Sequence, residues 1–269
     1  MAIITISRGS YSKGKEVAEK VAQKLGYQCI AREVLLDASK ELNIPEVKLL
    51  EAIRDAPSIF DRFTYGKERY VAYFQAALLK NLQRDNVVYH GLAGHFFLKG
   101  ISHAVKVRII ADMKDRVRLE MAHEGSSEQE ALAKIKGNDE ARRKWSLHLH
   151  GIDTSDSSLY DLVVHIRKIT VDDAVDIIAH SAGLRTFETT FESQKAMDDL
   201  VIAAEVKASL IGLKPDIQVF SENGRVLVGT KTSLAKEPDL VQEMETIAKN
   251  VQGVKSVEVK VKHLVEWHD

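Results

Sequence analysis

Ile3-Ile4-Thr5-Ile6-Ser7-Arg8, running into Gly9-Ser10-Tyr11-Ser12-Lys13-Gly14-Lys15-Glu16, is the stretch that decides the fold. Ile3 to Ser7 is apolar and rich in β-branched residues, as a buried strand is, and Gly14 to Leu25 has amphipathic helical spacing. The segment between them is therefore a strand-to-helix loop, and in that context GxxxxGK is a phosphate-loop pattern. Its backbone amides can cradle phosphate oxygens, its glycines let the backbone approach a ligand closely, and Lys15 places a cation on the terminal phosphates. The candidate binding residues are Gly9, Ser10, Tyr11, Ser12, Lys13, Gly14, Lys15 and Glu16. Glu16 stands where a magnesium-ligating Ser or Thr is usual, and its carboxylate can reach a metal ion or repel phosphate. The bland alternative is a glycine turn flanked by solvated lysines.

Downstream, helical spacing covers Glu33–Leu42, Pro45–Ile53 and Lys67–Arg84, and Asp85-Asn86 stops the last of these. Val87–His90, Ala104–Ala111 and Leu162–Ile166 read as strands, with Cys29 near a second one. Charged helical sequence fills Asp115–Trp145 and restarts at Gly125-Ser126-Ser127, while Val171–Ser181 forms a further helix with Asp172 and Asp173 in its first turn. Strands separated by helices predict an α/β unit, a parallel sheet with helices on both faces, over residues 1–185. Residues 186–196 read as a polar linker. A small α+β unit over 197–265 follows: a helix Met197–Leu210, strands Ile217–Phe220 and Val226–Gly229 about an Asn223-Gly224 hairpin turn, a helix Asp239–Asn250 and a strand Lys255–Val261.

Of the 269 residues, 39 are acidic and 38 basic, so no global field marks a nucleic-acid binder, and phosphate recognition must come from local placement. The one cysteine excludes an intramolecular disulfide and fits a reducing compartment, which makes the cytoplasm the expected location. No secretory signal is evident, and no apolar run approaches the roughly 20 residues a membrane-spanning helix needs.

The order Ile4–Arg8, the loop, Gly14–Ala22, Leu25-Gly26-Tyr27, Arg32-Glu33, Asp139–Arg143, Tyr160-Asp161-Leu162 and the Ile169–Ile178 helix resembles the cytidylate kinase-like family over roughly the first 185 residues. The resemblance implies a P-loop NTPase-type sheet and transfer of the γ-phosphoryl group of ATP, with Mg2+, to a nucleoside monophosphate such as CMP. It implies that Lys15 holds donor phosphates, that Arg142 and Arg143 act from a mobile lid, and that Arg32 and Glu33 contact the acceptor. Arg116 and Arg118 read as solvated helix residues beside that lid. Gly91 is followed by Leu92 where the resemblance leads one to expect Gly-Arg, so a phosphate-facing cation is missing. A catalytically degenerate nucleotide sensor is the alternative. The segment from about Asp198 to Lys262 resembles a BON domain, which implies self-association or peripheral lipid contact.

His148 and His150, with His90 or His95, could form a transition-metal site, but exposed lid histidines are the preferred reading and no metal ligands are assigned. Ser, His and Asp are present without a nucleophile-elbow pattern, so a hydrolase triad is unsupported. Cys29 reads as a structural thiol.

Overall fold

The computed structural model describes residues 2–31, 66–91, 94–232 and 237–263. The helices expected at Glu33–Leu42 and Pro45–Ile53 lie outside the described residues, as do Arg32, Glu33 and Leu92. The first unit runs β1 (Ile3–Arg8), α1 (Gly14–Leu25), β2 (Gln28–Ile30), α2 (Gly66–Leu82), β3 (Val87–Tyr89), α3 (Gly94–Phe97), β4 (Ala104–Ala111), α4 (Met113–Glu124), α5 (Glu128–His150), β5 (Leu162–Ile166) and α6 (Val171–Ala182). Its five strands form one sheet in the order β2-β3-β1-β4-β5, and every neighbouring pair is parallel.

β1 is central and is buried on both faces, which explains its nearly continuous apolar run. Successive residues serve opposite cores. Ile4 and Ile6 pack with Val17 and Val21 of α1 and Ile178 of α6, whereas Ile3 packs with Leu78 and Leu82 of α2 and with Trp145. The break between α4 and α5 is a capping box: the Ser127 side chain accepts from the Glu130 N–H, and the Glu130 carboxylate accepts from the Ser127 N–H. α3 has no counterpart in the sequence reading, because four residues are too few to establish helical periodicity.

The C-terminal unit contains α7 (Phe191–Leu210), β6 (Gln218–Glu222), β7 (Arg225–Thr232), α8 (Glu237–Lys249) and β8 (Ser256–His263). Its separate mixed sheet has the order β6-β7-β8, antiparallel then parallel. Asn223 and Gly224 have φ of 58° and 77°, as a primed two-residue hairpin turn requires. α7 begins at Phe191, ahead of Met197 where the apolar pattern starts it, so the expected polar linker contains the first turns of a helix. Thr190 causes the early start, since its side chain accepts from the Ser193 N–H at 3.1 Å while the Ser193 hydroxyl accepts from the Thr190 N–H at 2.9 Å.

α7 belongs to two cores. Met197, Val201 and Ala204 join the α2 side of the parallel sheet, while Val206 and Leu210 join Val226, Val228 and Met244 of the C-terminal unit. Asp199 fixes the hairpin to this helix by accepting from the Ser221 hydroxyl (2.7 Å), the Asn223 N–H (2.7 Å) and the Gly224 N–H (2.9 Å). Burial pushes its carboxyl upward, but those three donors outweigh burial and hold it below the usual aspartate value. The folded pKa is depressed, so the stabilisation is complete above the unfolded value of about 3.9 and is lost as pH falls through the folded value. Asp199→Ala is expected to cost about 1–3 kcal/mol near neutral pH. Thermal denaturation across pH should show the gap from wild type narrowing below about pH 4; a gap that persists unchanged in acid would mean that the carboxylate's charge is not what holds the turn.

Candidate active site

The loop after β1 lies at the carboxyl end of the central strand, where open parallel sheets place their ligands. Tyr11 and Lys13 both have left-handed backbones, with φ of 55° and 64°. Alternating left- and right-handed residues turn successive amides toward one concavity, an anion-binding nest. Lys13 is the N-cap of α1 yet supplies no side-chain cap, so the first amides of the helix are left to the loop's concave side. Gly14 is compulsory for a different reason: a Cβ there would lie 2.6 Å from the Arg8 Cβ.

Lys15 is exposed and only loosely paired, with its Nζ 3.7 Å from Glu19. Glu16 is half-exposed and faces Lys20 at 3.5 Å. Ser12 is buried and donates to the Gly9 carbonyl at 3.0 Å. Ser10 and Tyr11 face the α4–α5 hairpin. The Tyr11 ring joins Val117, Ala131 and Ile135 in a small apolar cluster, and its hydroxyl donates to Glu124 at 3.4 Å.

Arg116 corrects the sequence reading. It is buried; its Nε donates to the Ser10 carbonyl at 2.7 Å and its Nη2 lies 2.7 Å from Asp139 Oδ2. The other oxygen of Asp139 accepts the Ser10 N–H at 3.3 Å. Arg116 and Asp139 therefore clamp the loop from both hairpin helices. Arg118 is solvated as expected, with 78% of its side chain exposed and an ion pair to Asp115.

Two cavities adjoin the loop. One, of about 540 Å³, lies over Ser10–Glu16; the other, of about 600 Å³, extends between the ends of β1 and β4 and the helix α5. Arg8, Ser12 and Arg142 line both. Arg142 donates to the Arg8 carbonyl at 3.2 Å. Burial and then Arg142 push the Arg8 guanidinium's pKa down, while burial and the charge of Arg116 do the same to Arg142 against the pull of Asp139. The Arg8 Nε is buried with no hydrogen-bond partner. Crowded, poorly solvated cations gain most from a bound anion. Arg143 is placed differently: its Nε and Nη2 both lie 2.9 Å from Asp153 Oδ2, at the edge of the larger cavity. Sequence reasoning grouped the adjacent arginines, whereas the helix sends them to different partners.

Arg108 was missed because an arginine inside a strand reads as surface. It lines the larger cavity, and its Nη1 bonds the Thr154 carbonyl and, at 3.2 Å, the Tyr160 hydroxyl. His150, expected as an exposed lid histidine, is half-buried and packs on the rings of Phe96, Phe97 and Trp145 at 5.1–5.3 Å. Among the described residues no group of three or more His, Cys, Asp or Glu converges as a metal site.

Arg116→Ala is expected to destabilise the protein by about 1–3 kcal/mol and, because it frees the loop, to weaken whatever affinity the loop has for a triphosphate probe such as ATP by roughly tenfold or more. Arg118→Ala should stay within about 0.5 kcal/mol of wild type. Thermal denaturation and ATP calorimetry on both variants check this, and equal behaviour of the two would remove the clamp.

Comparison with known proteins agrees with this geometry. The cytidylate kinase of Sulfolobus acidocaldarius is 27% identical over 176 residues, which cover 65% of this chain and 91% of that protein. The cytidylate kinase of Pyrobaculum aerophilum is 22% identical over 178 residues, covering 66% and 90%. A crystal structure of an uncharacterized protein from Eubacterium ventriosum shares the fold, with a TM-score of 0.54 at 22% identity over 67% of this chain and 97% of that one. The cytidylate kinase-like family matches residues 3–168, more than half of the chain, and with the parallel sheet, the phosphate loop and the arginines gathered around it, this protein belongs to that family.

Proposed function

We propose that the protein transfers the γ-phosphoryl group of ATP to a nucleoside monophosphate, with a CMP-like acceptor. The observation that carries this reading is the common wall of Arg8, Ser12 and Arg142 between the loop cavity and the larger one, which lets a donor and an acceptor meet across one cationic boundary. Donor phosphates would occupy the nest of Gly9–Glu16, with Lys15 swinging from Glu19 onto the terminal phosphate. Arg8 and Arg142 would neutralise the moving group. Such a transfer asks the protein mainly for position and charge. Arg143 would join from the rim of the larger cavity once Asp153 releases it, and Arg32 and Glu33 keep their proposed contact with the acceptor.

Magnesium fits as a companion of the nucleotide rather than as a resident ion. The chain offers Glu16 beside the nest and, among the described residues, no cluster of three candidate ligands. Phosphate oxygens and water would complete the coordination, and the ion would offset phosphate charge. The sequence carries Leu92 where the resemblance leads one to expect a cation, and Arg108 supplies a cation on the wall of the larger cavity. Transfer of labelled γ-phosphate from Mg-ATP to a panel of nucleoside monophosphates tests the reading. Product should form with CMP or a close relative and fall roughly a hundredfold or more in Lys15→Ala. ATP binding without transfer to any acceptor would overturn it.

For the C-terminal unit we propose a BON-like identity and a role in self-association, with the kinase unit at 1–185, the sheet unit at 197–265 and the whole chain in the cytoplasm. The support is a sheet covered on one face by α7 and α8, with Phe220 62% exposed on the other. Size-exclusion chromatography should show a concentration-dependent oligomer that Phe220→Ser weakens; a monomer at all concentrations would sink the role.

A further inference from the structure

The arginines that line the larger cavity differ in what holds them. Arg116 and Arg143 are paired with carboxylates, those of Asp139 and Asp153. Arg108 is held by neutral groups alone. Its Nη1 donates to the Thr154 carbonyl and, at 3.2 Å, to the Tyr160 hydroxyl, and its Cζ lies 5.6 Å from the centre of the Tyr160 ring. Among the described residues no carboxylate pairs with it, and its Nε and Nη2 donate to no protein atom. Unlike the Arg8 Nε, neither of these nitrogens is sealed off from the surface. The guanidinium thus keeps its charge uncompensated and two of its nitrogens uncommitted on the cavity wall, where an anion can take up both.

The sheet register decides where that charge stands. Arg108 is directly opposite Ser7 in the parallel β1–β4 pair, and Ser7 is followed by Arg8 and by Gly9, the first residue of the loop. Opposed residues of neighbouring strands project from the same face, and both of these line the larger cavity. Tyr160 ties the two strands together at this point. Its hydroxyl accepts from Arg108, donates to the Thr154 carbonyl at 2.9 Å and lies 3.2 Å from the Ser7 Oγ. The ring is buried and packs on the imidazole of His95 at 4.7 Å, centroid to centroid. A long side chain gives up rotamer freedom when it clasps an anion. A guanidinium already fixed by its neighbours has given up that freedom before the ligand arrives, so more of the contact energy appears as affinity.

We propose that Tyr160 is a positioning residue, which holds Arg108 so that its uncommitted nitrogens contact the phosphate of the acceptor. The proposal rests on the kinase reading and adds to it the pair of residues that grips the acceptor's anionic end.

Equilibrium binding by calorimetry tests this. The probes are CMP, UMP, AMP and GMP, each beside its nucleoside, which keeps the base and ribose and lacks the phosphate. Wild type should bind one nucleotide about tenfold or more tightly than its nucleoside. Tyr160→Phe keeps the ring against His95 and removes the hydroxyl. It should lose about fivefold in affinity for that nucleotide, with its affinity for the nucleoside and for ATP unchanged. Arg108→Met should lose about tenfold or more in the same selective way. With Met already at position 108, the Tyr160→Phe change should cost nothing further, because Tyr160 acts through Arg108; a residue that merely supports the fold would still show its own loss. In γ-phosphate transfer, Tyr160→Phe should raise the KM for the nucleotide and leave the KM for ATP where it was. Thermal denaturation reports folding of every variant. Should Tyr160→Phe fail to fold, Arg108→Lys decides: its ammonium carries the charge without the fork that joins Tyr160, Thr154 and a ligand, and the nucleotide affinity should again fall selectively. An unchanged nucleotide affinity, an equal loss for nucleotide and nucleoside, or a full additional loss in the double variant would overturn the role of Tyr160 while leaving the kinase reading intact. Wild type that binds ATP but none of the nucleoside monophosphates would overturn both.

Discussion

The Arg116–Asp139 ion pair, 2.7 Å across and mostly buried, decides whether the phosphate loop has a shape at all. Two non-glycine residues in left-handed conformations are costly, on the order of 1–2 kcal/mol each, and persist only where the surroundings over-determine them. Here the constraint comes from outside the loop. Arg116 holds the Ser10 carbonyl, Asp139 holds the Ser10 amide, and Tyr11 is anchored among apolar side chains of α4 and α5. The hairpin is itself tied together by Lys134, which pairs with the buried Glu120 and with Glu124 at 3.0 Å each. Movement of the hairpin therefore changes the nest directly, and the loop and its cover behave as one mechanical piece.

A chain with almost no net charge can still concentrate positive charge where it is needed. Lys20 and Lys24 of α1 are spent on Asp172 and Asp176 of α6, fastening the solvent-facing sides of two neighbouring helices that pack on the same core. At the front, Arg8 and Arg142 face one another with little water and without full compensation. Burial of cations beside like charge is a cost that a bound anion would offset. Charge at this site is a property of the whole cavity wall, to which Arg108 belongs as well.

How much of this could be read from sequence depended on how local its cause is. β1, the loop and α1 were legible because periodicity and a glycine-lysine spacing lie within a few consecutive residues, and Ser127 and the Asn223-Gly224 turn announced themselves in the same way. Arg116 and Arg118 were not distinguishable, since they sit on one helix two residues apart and only the tertiary position of the loop decides which is buried. Asp139 stood within a familiar segment without a visible partner, because Ser10 is 129 positions away. His95 was considered only as a metal ligand beside His148 and His150. Its packing against Phe96 and Tyr160 and its place on a cavity wall are three-dimensional facts. The early start of α7 was missed for a smaller reason: Thr190 and Ser193 look like loop residues until their reciprocal caps are seen.

α2 and α7 make the two units mechanically continuous. On one side of α2, Tyr70 stacks on Phe74 at 5.8 Å and meets the Trp145 ring edge-on at 6.2 Å, and Trp145 lines the larger cavity. On another side of the same helix, Ala72 is buried among the apolar residues of the C-terminal unit, with Tyr73 packed against them. Alongside it, α7 supplies Met197 and Val201 to the first core and Val206 and Leu210 to the second. Close-packed interiors do not absorb displacement softly, so a shift of the C-terminal sheet along α7 must be taken up either by a new void or by movement of α2. Movement of α2 carries Tyr70, and with it the aromatic support of Trp145. The fusion of a small sheet unit to a phosphate-loop unit thus places the Trp145 wall of the larger cavity, and not the loop after β1, under the influence of whatever the C-terminal surface meets.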